Sequence, residues 1–456
     1  MASTIVALAT PTGRSGIGVL RLSGADALAI TRNLVNDGAH SPVPRAAVLK
    51  NLYDPGKNEV IDEAIITYFK APHSFTGEDV VEISCHGSPV LLRQVIDICL
   101  AEGARMADAG EFSLRALANG RMNLAEVEAI RDLIDAQTTA SARQAIRQMR
   151  GEFSVSLQPL KDDLLNVIVV LESALEFVED DLPELQAESV KKKLAAIAEE
   201  TGKLASTFQA GRLIREGLRV ALVGRPNVGK SSLFNALLGS DRAIVTEIAG
   251  TTRDQIHERF TIGDIPISLI DTAGLRETTD TVESIGVERS KATMADADIV
   301  IVMLDASEAV MAEDIKIIDS VGGIEHIIAL NKIDKASPCE IENAESQISN
   351  FKSEIVLLSA KTGEGLDLLR KAIVEPFSAQ DSADTGFLVT DARHHDLLVR
   401  SRSEIEQSLD QLNQKISEEI VLIGLHNALR YLGQITGETT TEDMLTRIFS
   451  TFCIGK

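Results

Sequence analysis

Gly224-Arg-Pro-Asn-Val-Gly229-Lys230-Ser231 has the spacing G-x-x-x-x-G-K-[ST]. Glycines at these positions let backbone N–H groups come close to phosphate oxygens, and the following helix adds the partial positive charge of its N-terminal amides. Lys230 would reach β- and γ-phosphates, and Ser231 would ligate Mg²⁺. Three further groups follow in order. In Asp271-Thr272-Ala273-Gly274 the acid can hold Mg²⁺ through water, and the Gly274 N–H can sense a γ-phosphate. In Asn331-Lys332-Ile333-Asp334 the Asp carboxylate can accept two N–H bonds from guanine N1 and N2, a pair that adenine does not offer. Ser359-Ala360-Lys361 can close over the base.

Each group stands at the end of a short apolar run: Leu218 to Val223, Ile267 to Ile270, Ile327 to Leu330 and Ile355 to Leu358. With Ile299 to Leu304, these read as buried parallel strands separated by helices, a doubly wound α/β sheet spanning 217–377. Residues 1–119 mix β-rich runs (Thr4 to Leu8, Gly18 to Leu22, Val80 to Ile83) with turn signals, and a helical pattern covers Pro89 to Ala101, so an α+β domain is expected. Residues 120–216 turn helical, with Leu124, Val127, Ile130 and Ile134 at helical spacing. After a polar stretch from Ser378 the pattern is helical again to 456. The sequence therefore predicts three domains: an α+β N-terminal domain, an all-α domain in two parts (120–216 and 378–456), and an α/β module inserted into it.

The four ordered motifs resemble the Ras-like GTPase superfamily, which implies GTP as the nucleotide. The implied binding set is Asn227, Val228, Gly229, Lys230, Ser231 and Ser232; Thr246, Glu247, Ile248, Ala249, Gly250 and Thr251; Asp271, Thr272, Ala273 and Gly274; Asn331, Lys332 and Asp334; and Ser359, Ala360 and Lys361. A switch-loop hydroxyl, Thr252, would complete the Mg²⁺ shell with Ser231. In Ras-like enzymes a Gln after the Asp-x-x-Gly group orients the attacking water. Here that position is Leu275, so a partner or another residue must do it. Asn227 is either a turn-former after Pro226 or, by resemblance to potassium-activated GTPases, a K⁺ ligand with Thr246, Ile248 and Thr251. Glu283 matches the water-orienting carboxylate of such enzymes and reads equally as a solvated surface residue.

Composition limits the remaining possibilities. Lys+Arg total 45 and Asp+Glu 68, giving a net charge of -23, which argues against a protein that coats nucleic acid by itself. The four cysteines show no CxxC pairing, so neither a disulfide framework nor a Cys-rich zinc site is expected. The first residues carry no secretory pattern, no apolar run is long enough to span a membrane, and a cytoplasmic location is expected.

The segments Asn119-Gly-Arg-Met-Asn-Leu-Ala-Glu-Val-Glu-Ala, Gly250-Thr-Thr-Arg-Asp254 and Cys453-Ile-Gly-Lys456, with the three-domain order, resemble the bacterial MnmE/TrmE family of tRNA modification GTPases. The terminal tetrapeptide is a poor match to a prenylation signal. The resemblance implies a homodimer that works with the flavoprotein MnmG (GidA), as a heterotetramer, on C5 of the tRNA wobble uridine. It implies a one-carbon donor, 5-formyl- or methylene-tetrahydrofolate, held by Arg21, Glu78, Arg121 and Lys456, with tRNA reached mostly through the complex. The catalytic candidates are Lys230, Asp271, Glu283 and the thiol of Cys453. The G motifs alone would equally fit a regulatory or ribosome-assembly switch, from which folate binding would distinguish it.

Overall fold

The computed structural model describes residues 3–176, 184–240, 257–263, 265–271, 297–378, 387–438, 445, 448–452 and 455. They pack as two compact units, one formed by Met1–Arg131, Gln148–Val169 and Leu425–Lys456, the other by Asp132–Arg147 and Val170–Gly424.

The first unit is built on strands β1 (Ile5–Leu8), β2 (Ile17–Ser23), β3 (Ala47–Asp54), β4 (Glu59–Phe69), β5 (Val80–His86) and β6 (Arg105–Met106). They run in the order β3-β4-β5-β2-β1-β6, antiparallel except where β6 lies parallel to β1. Helices α1 (Ala27–Leu34) and α2 (Pro89–Ala101) bury apolar stripes in the same core as Leu20, Leu22, Ile66 and Ile83. The α2 stripe is Leu92, Val95, Ile98 and Cys99, and Pro89 presets the backbone of the first turn. Next come α3 (Glu111–Ala118) and α4 (Leu124–Asp135), then α5 (Thr139–Met149), most of which belongs to the second unit, and α6 (Glu152–Glu176), most of which belongs to the first. Val127 of α4 shares a small core with Phe449 and Phe452. A Cβ at Gly110 would stand 2.9 Å from the Phe449 carbonyl oxygen, and one at Gly455 would stand 2.4 Å from that of Leu8. Gly455 is thus seated against the end of β1.

In the second unit, α7 (Glu184–Ser206) and α8 (Phe208–Glu216) precede a six-stranded sheet of β7 (Leu218–Val223), β8 (His257–Ile262), β9 (Ile265–Asp271), β10 (Ile299–Asp305), β11 (His326–Asn331) and β12 (Glu354–Leu357). The order is β12-β11-β10-β7-β9-β8. All neighbours are parallel except β8, an antiparallel edge strand that the apolar-run reading had not anticipated. Helices α9 (Lys230–Ser240) and α12 (Leu366–Ser378) pack on one face, and α10 (Ala312–Val321) and α11 (Pro338–Ile348) on the other. Every residue of β10 is buried, as expected of a strand covered on both faces. Helix α13 (Ala392–Asn413) follows and packs along α7; α14 (Glu418–Thr436) comes next, most of it in the first unit.

Helix α8 leads into β7 and is tied down on both sides. Gly211 lets it approach Val389, where a Cβ would meet the carbonyl oxygen at 2.1 Å. Arg212 pairs with Asp298 at 2.7 Å, just before β10. Arg215 bridges Asp391 at 2.7 Å and Asp132 at 2.8 Å, all three largely buried. Burial pushes the Asp391 carboxyl up. The charges of His394 and Arg215, with hydrogen bonds from the Arg215 side chain and the Arg393 N–H, outweigh it and hold the carboxyl well below its usual range. Arg215→Ala, which leaves buried carboxylates without this cation, is expected to cost about 3 kcal/mol. A depressed folded-state pKa stabilises above the unfolded value, and that stabilisation is lost as pH falls through the folded value. Urea unfolding from about pH 5 down to pH 3 should therefore show a flatter acid loss in Arg215→Ala than in the unaltered protein. Parallel acid slopes would refute the assignment.

Candidate functional site

The phosphate loop leaves the sheet beside the junction of β7 and β10, where the strand order reverses and open α/β sheets form their ligand crevice. Three residues take left-handed backbone angles: Gly224 (φ 148°), Asn227 (φ 66°) and Gly229 (φ 104°). A Cβ at Gly224 would stand 2.5 Å from the Met303 carbonyl oxygen of β10, and one at Gly229 would stand 2.2 Å from Asn331 Nδ2. Only glycine fits either approach. Asn227 is exposed and Val228 buried. The φ of Asn227 is one that Asn tolerates in tight turns. Lys230 Nζ donates to the Gly224 and Arg225 carbonyl oxygens, 2.7 Å each, so the ammonium is held over the loop. Ser231 and Ser232 are exposed in the first turn of α9.

The base-reading groups meet this loop at a single side chain. Buried Asn331, at the end of β11, donates from Nδ2 to the Val228 carbonyl oxygen at 2.7 Å and accepts the Ala360 N–H on Oδ1 at 2.9 Å. One amide thus joins the phosphate loop to the Ser359–Lys361 turn. The Ser359 hydroxyl donates to Asp334 Oδ1 at 2.7 Å and accepts the Thr362 N–H, fixing the carboxylate's rotation. Lys332, itself at φ 67°, pairs with Asp305 at the end of β10. Burial pushes the Asp305 carboxyl up, but hydrogen bonds from Lys332 and Ser307 outweigh it and leave it below its usual range.

Asn227 to Ser232, Asn331, Lys332, Asp334 and Ser359 to Lys361 therefore share one end of the sheet. Asp271 closes β9 in register with Leu222. Its side chain, Thr246 to Thr252, Thr272 to Gly274, Glu283, Cys453 and Lys456 lie outside the described residues. Among the described residues, no group of three or more His, Cys, Asp or Glu side chains could hold a metal ion by itself. Sequence reasoning missed Arg225, Asp305 and Asp314, whose partners lie far along the chain.

A second cluster surrounds the loop Ser74–Asp79 in the first unit. Arg21 pairs with Glu82 across the β2–β5 register at 2.6 Å and stands over the rings of Phe75 and Phe112 at 5.5 and 5.8 Å. Glu78 accepts from the Ser23 hydroxyl at 2.7 Å and from Arg115 at 2.8 Å. Arg115 is backed by Glu111, which also takes Arg105. Arg121 donates to the Ser74 carbonyl oxygen at 3.2 Å. Arg21, Glu78 and Arg121 are thereby brought to one loop, and Arg115, not anticipated from the sequence, anchors its carboxylate.

A mostly parallel sheet feeding a glycine loop into a helix, with buried Asn331 and Ser359 at the ends of β11 and β12 and an exposed Asp334 bonded to that serine, defines a P-loop GTPase domain. The family model for the MnmE helical domain matches residues 124–453, and that for the GTP-binding protein TrmE N-terminus matches 4–121. The tRNA modification GTPase MnmE of Koribacter versatilis is 45% identical, covering 99% of both chains. That of Aquifex aeolicus is 43% identical, covering 100% of both. Among solved structures, the G domain of the T. maritima FeoB iron transporter is 30% identical over 35% of this chain and 97% of that one, with a TM-score of 0.27. The chain belongs to the tRNA modification GTPase MnmE family. No helix among the described residues is long and apolar enough to cross a membrane.

Proposed function

We propose that this protein is a potassium-activated cytoplasmic GTPase that modifies C5 of the tRNA wobble uridine together with an MnmG-type flavoprotein. Residues 217–377 form its G domain. Residues 120–216 and 378–456 form the helical domain, and residues 1–119 bind a tetrahydrofolate and form the homodimer. The observation that carries the nucleotide half is the coupling of Lys230, Asn331, Asp334 and Ser359 into one hydrogen-bonded end of the sheet.

Lys230 and the loop amides would bind the phosphates, Asp334 would select guanine, and Ser231 with Thr252 would hold Mg²⁺. Asn227, exposed on the loop, fits a role as K⁺ ligand with Thr246, Ile248 and Thr251. K⁺ would supply the positive charge that an arginine finger provides elsewhere. Glu283 would orient the attacking water while two G domains meet. The loop held by Arg21, Glu78 and Arg121 suits a ligand with N–H donors and carboxylates, as a tetrahydrofolate is, and Lys456 and Cys453 would complete that site. The folate would supply the one-carbon unit.

GTP turnover in K⁺ is expected to exceed turnover in Na⁺ at equal ionic strength by at least about tenfold, in line with the catalytic value of a charge placed at the transferring phosphate. The same preparation should bind 5-formyl-tetrahydrofolate. Equal rates in both salts would end the cation assignment, and absence of folate binding would favour a regulatory switch.

A further inference from the structure

We propose that Arg225 is a positioning residue for GTP and GDP: pinned by Asp314, it holds the phosphate loop where Lys230 and the loop amides meet the nucleotide. Arg225 follows the first glycine of the loop, where a cation invites the expectation that it reaches for phosphate. Its guanidinium is instead committed to carboxylates. Nε donates to Asp314 Oδ1 at 2.7 Å, and an Nη donates to Glu308 at 3.4 Å. The same residue's carbonyl oxygen accepts from Lys230. Arg225 is therefore held at its side chain by the acids and at its main chain by the lysine that the phosphates require.

Asp314 is a firm anchor. Its side chain is 2% exposed. Its other oxygen accepts the Met311 N–H at 2.9 Å, which caps the start of α10. Asp314 cannot follow the loop without uncapping that helix. A charge-assisted bond to a buried carboxylate is short and directional. The tether is needed because three loop residues sit at left-handed angles, conformations that persist only when their surroundings hold them. Asn331 secures the loop at Val228, and Arg225 secures it near Gly224. The residues between Asp305 and Asp314 thus serve both halves of the site, since Asp305 holds Lys332 and Asp314 holds Arg225.

Both nucleotides keep phosphate in the loop, so a loosened tether should weaken GDP and GTP alike. Arg225→Gln and Asp314→Asn are each expected to weaken both affinities by about tenfold, a typical value for loss of one charge-assisted bond. KM for GTP should rise in step while kcat stays within about twofold. The double variant should bind no more weakly than Arg225→Gln alone, because the two residues act as one pair. Arg225→Lys, which keeps the charge, should regain part of the loss, an outcome that mere damage to the fold would not produce. Asp314 lies outside the phosphate loop, so its variant separates positioning from direct contact. Unchanged GDP affinity in Arg225→Gln or Asp314→Asn, additive losses in the double variant, or no recovery with Lys would each overturn the proposal. If Arg225→Gln does not fold, Asp314→Asn and Arg225→Lys decide it by the same affinities.

Discussion

Lys230→Ala is expected to lower GTP turnover by more than about a hundredfold, the usual cost of removing a preorganised charge that faces the transferring phosphate. The reason lies in how the ammonium is held. Lys230 Nζ donates to two carbonyl oxygens of its own loop, each at 2.7 Å. That fixes the height of its charge over the loop. Alanine removes the charge and also strips both carbonyls of their donor in a loop with three left-handed residues. Lys230→Arg should not restore activity, because a planar fork does not reproduce a compact point charge with three rotatable donors. Single-turnover hydrolysis at saturating GTP is the measurement, and a loss smaller than tenfold would refute the role.

Asp334→Asn should change which base is accepted. In the proposed reading the carboxylate would offer two acceptors to guanine N1–H and N2–H. Asparagine presents one acceptor and one donor, so one guanine N–H loses its partner and meets another N–H. Each defect of this kind costs a few kcal/mol, so GTP affinity should fall by roughly a hundredfold. Xanthosine triphosphate has a carbonyl oxygen at C2 where guanine has its amino group, and should gain affinity by a similar factor. The fold should survive, because Asn Oδ1 can still accept the Ser359 hydroxyl that now bonds Asp334 at 2.7 Å. Competition binding with both triphosphates tests this. Unaltered preference for GTP would mean that Asp334 does not read the base.

Much of this arrangement was legible locally. The runs that predicted strands at Leu218 to Val223 and Ile299 to Leu304 became β7 and β10, since strands buried on both faces are uninterrupted in the sequence. The helix over Pro89 to Ala101 was readable from its apolar spacing and N-terminal proline. The hairpin of β3 and β4 was harder, because half-exposed strands carry polar and apolar residues together. Strand β8 was missed for a related reason: His257-Glu-Arg-Phe-Thr-Ile forms an edge strand, in which Phe260 joins the adjoining core and Ile262 packs against it without an uninterrupted apolar run. The motifs marked Lys230, Asn331, Asp334 and Ser359, which the sheet brings to one end, because each motif is a short run at a strand end. Nothing local marks Arg225 with Asp314, Lys332 with Asp305, or Glu78 with Arg115. Those pairs depend on which strand ends the topology brings together, and a single sequence has no periodicity that reports it.

The seating of Gly455 against Leu8 has a consequence in time. The ribosome releases Leu8 long before Gly455. Between them emerges the whole second unit, which can form its own core around β7 and β10. The first unit must wait, with Gly110 and Val127 lacking the partners that Phe449 and Phe452 later provide. The first unit, whose segments flank the second in sequence, is therefore completed after it. Its assembly must close across an already folded insert, the kind of long-range contact that slows folding.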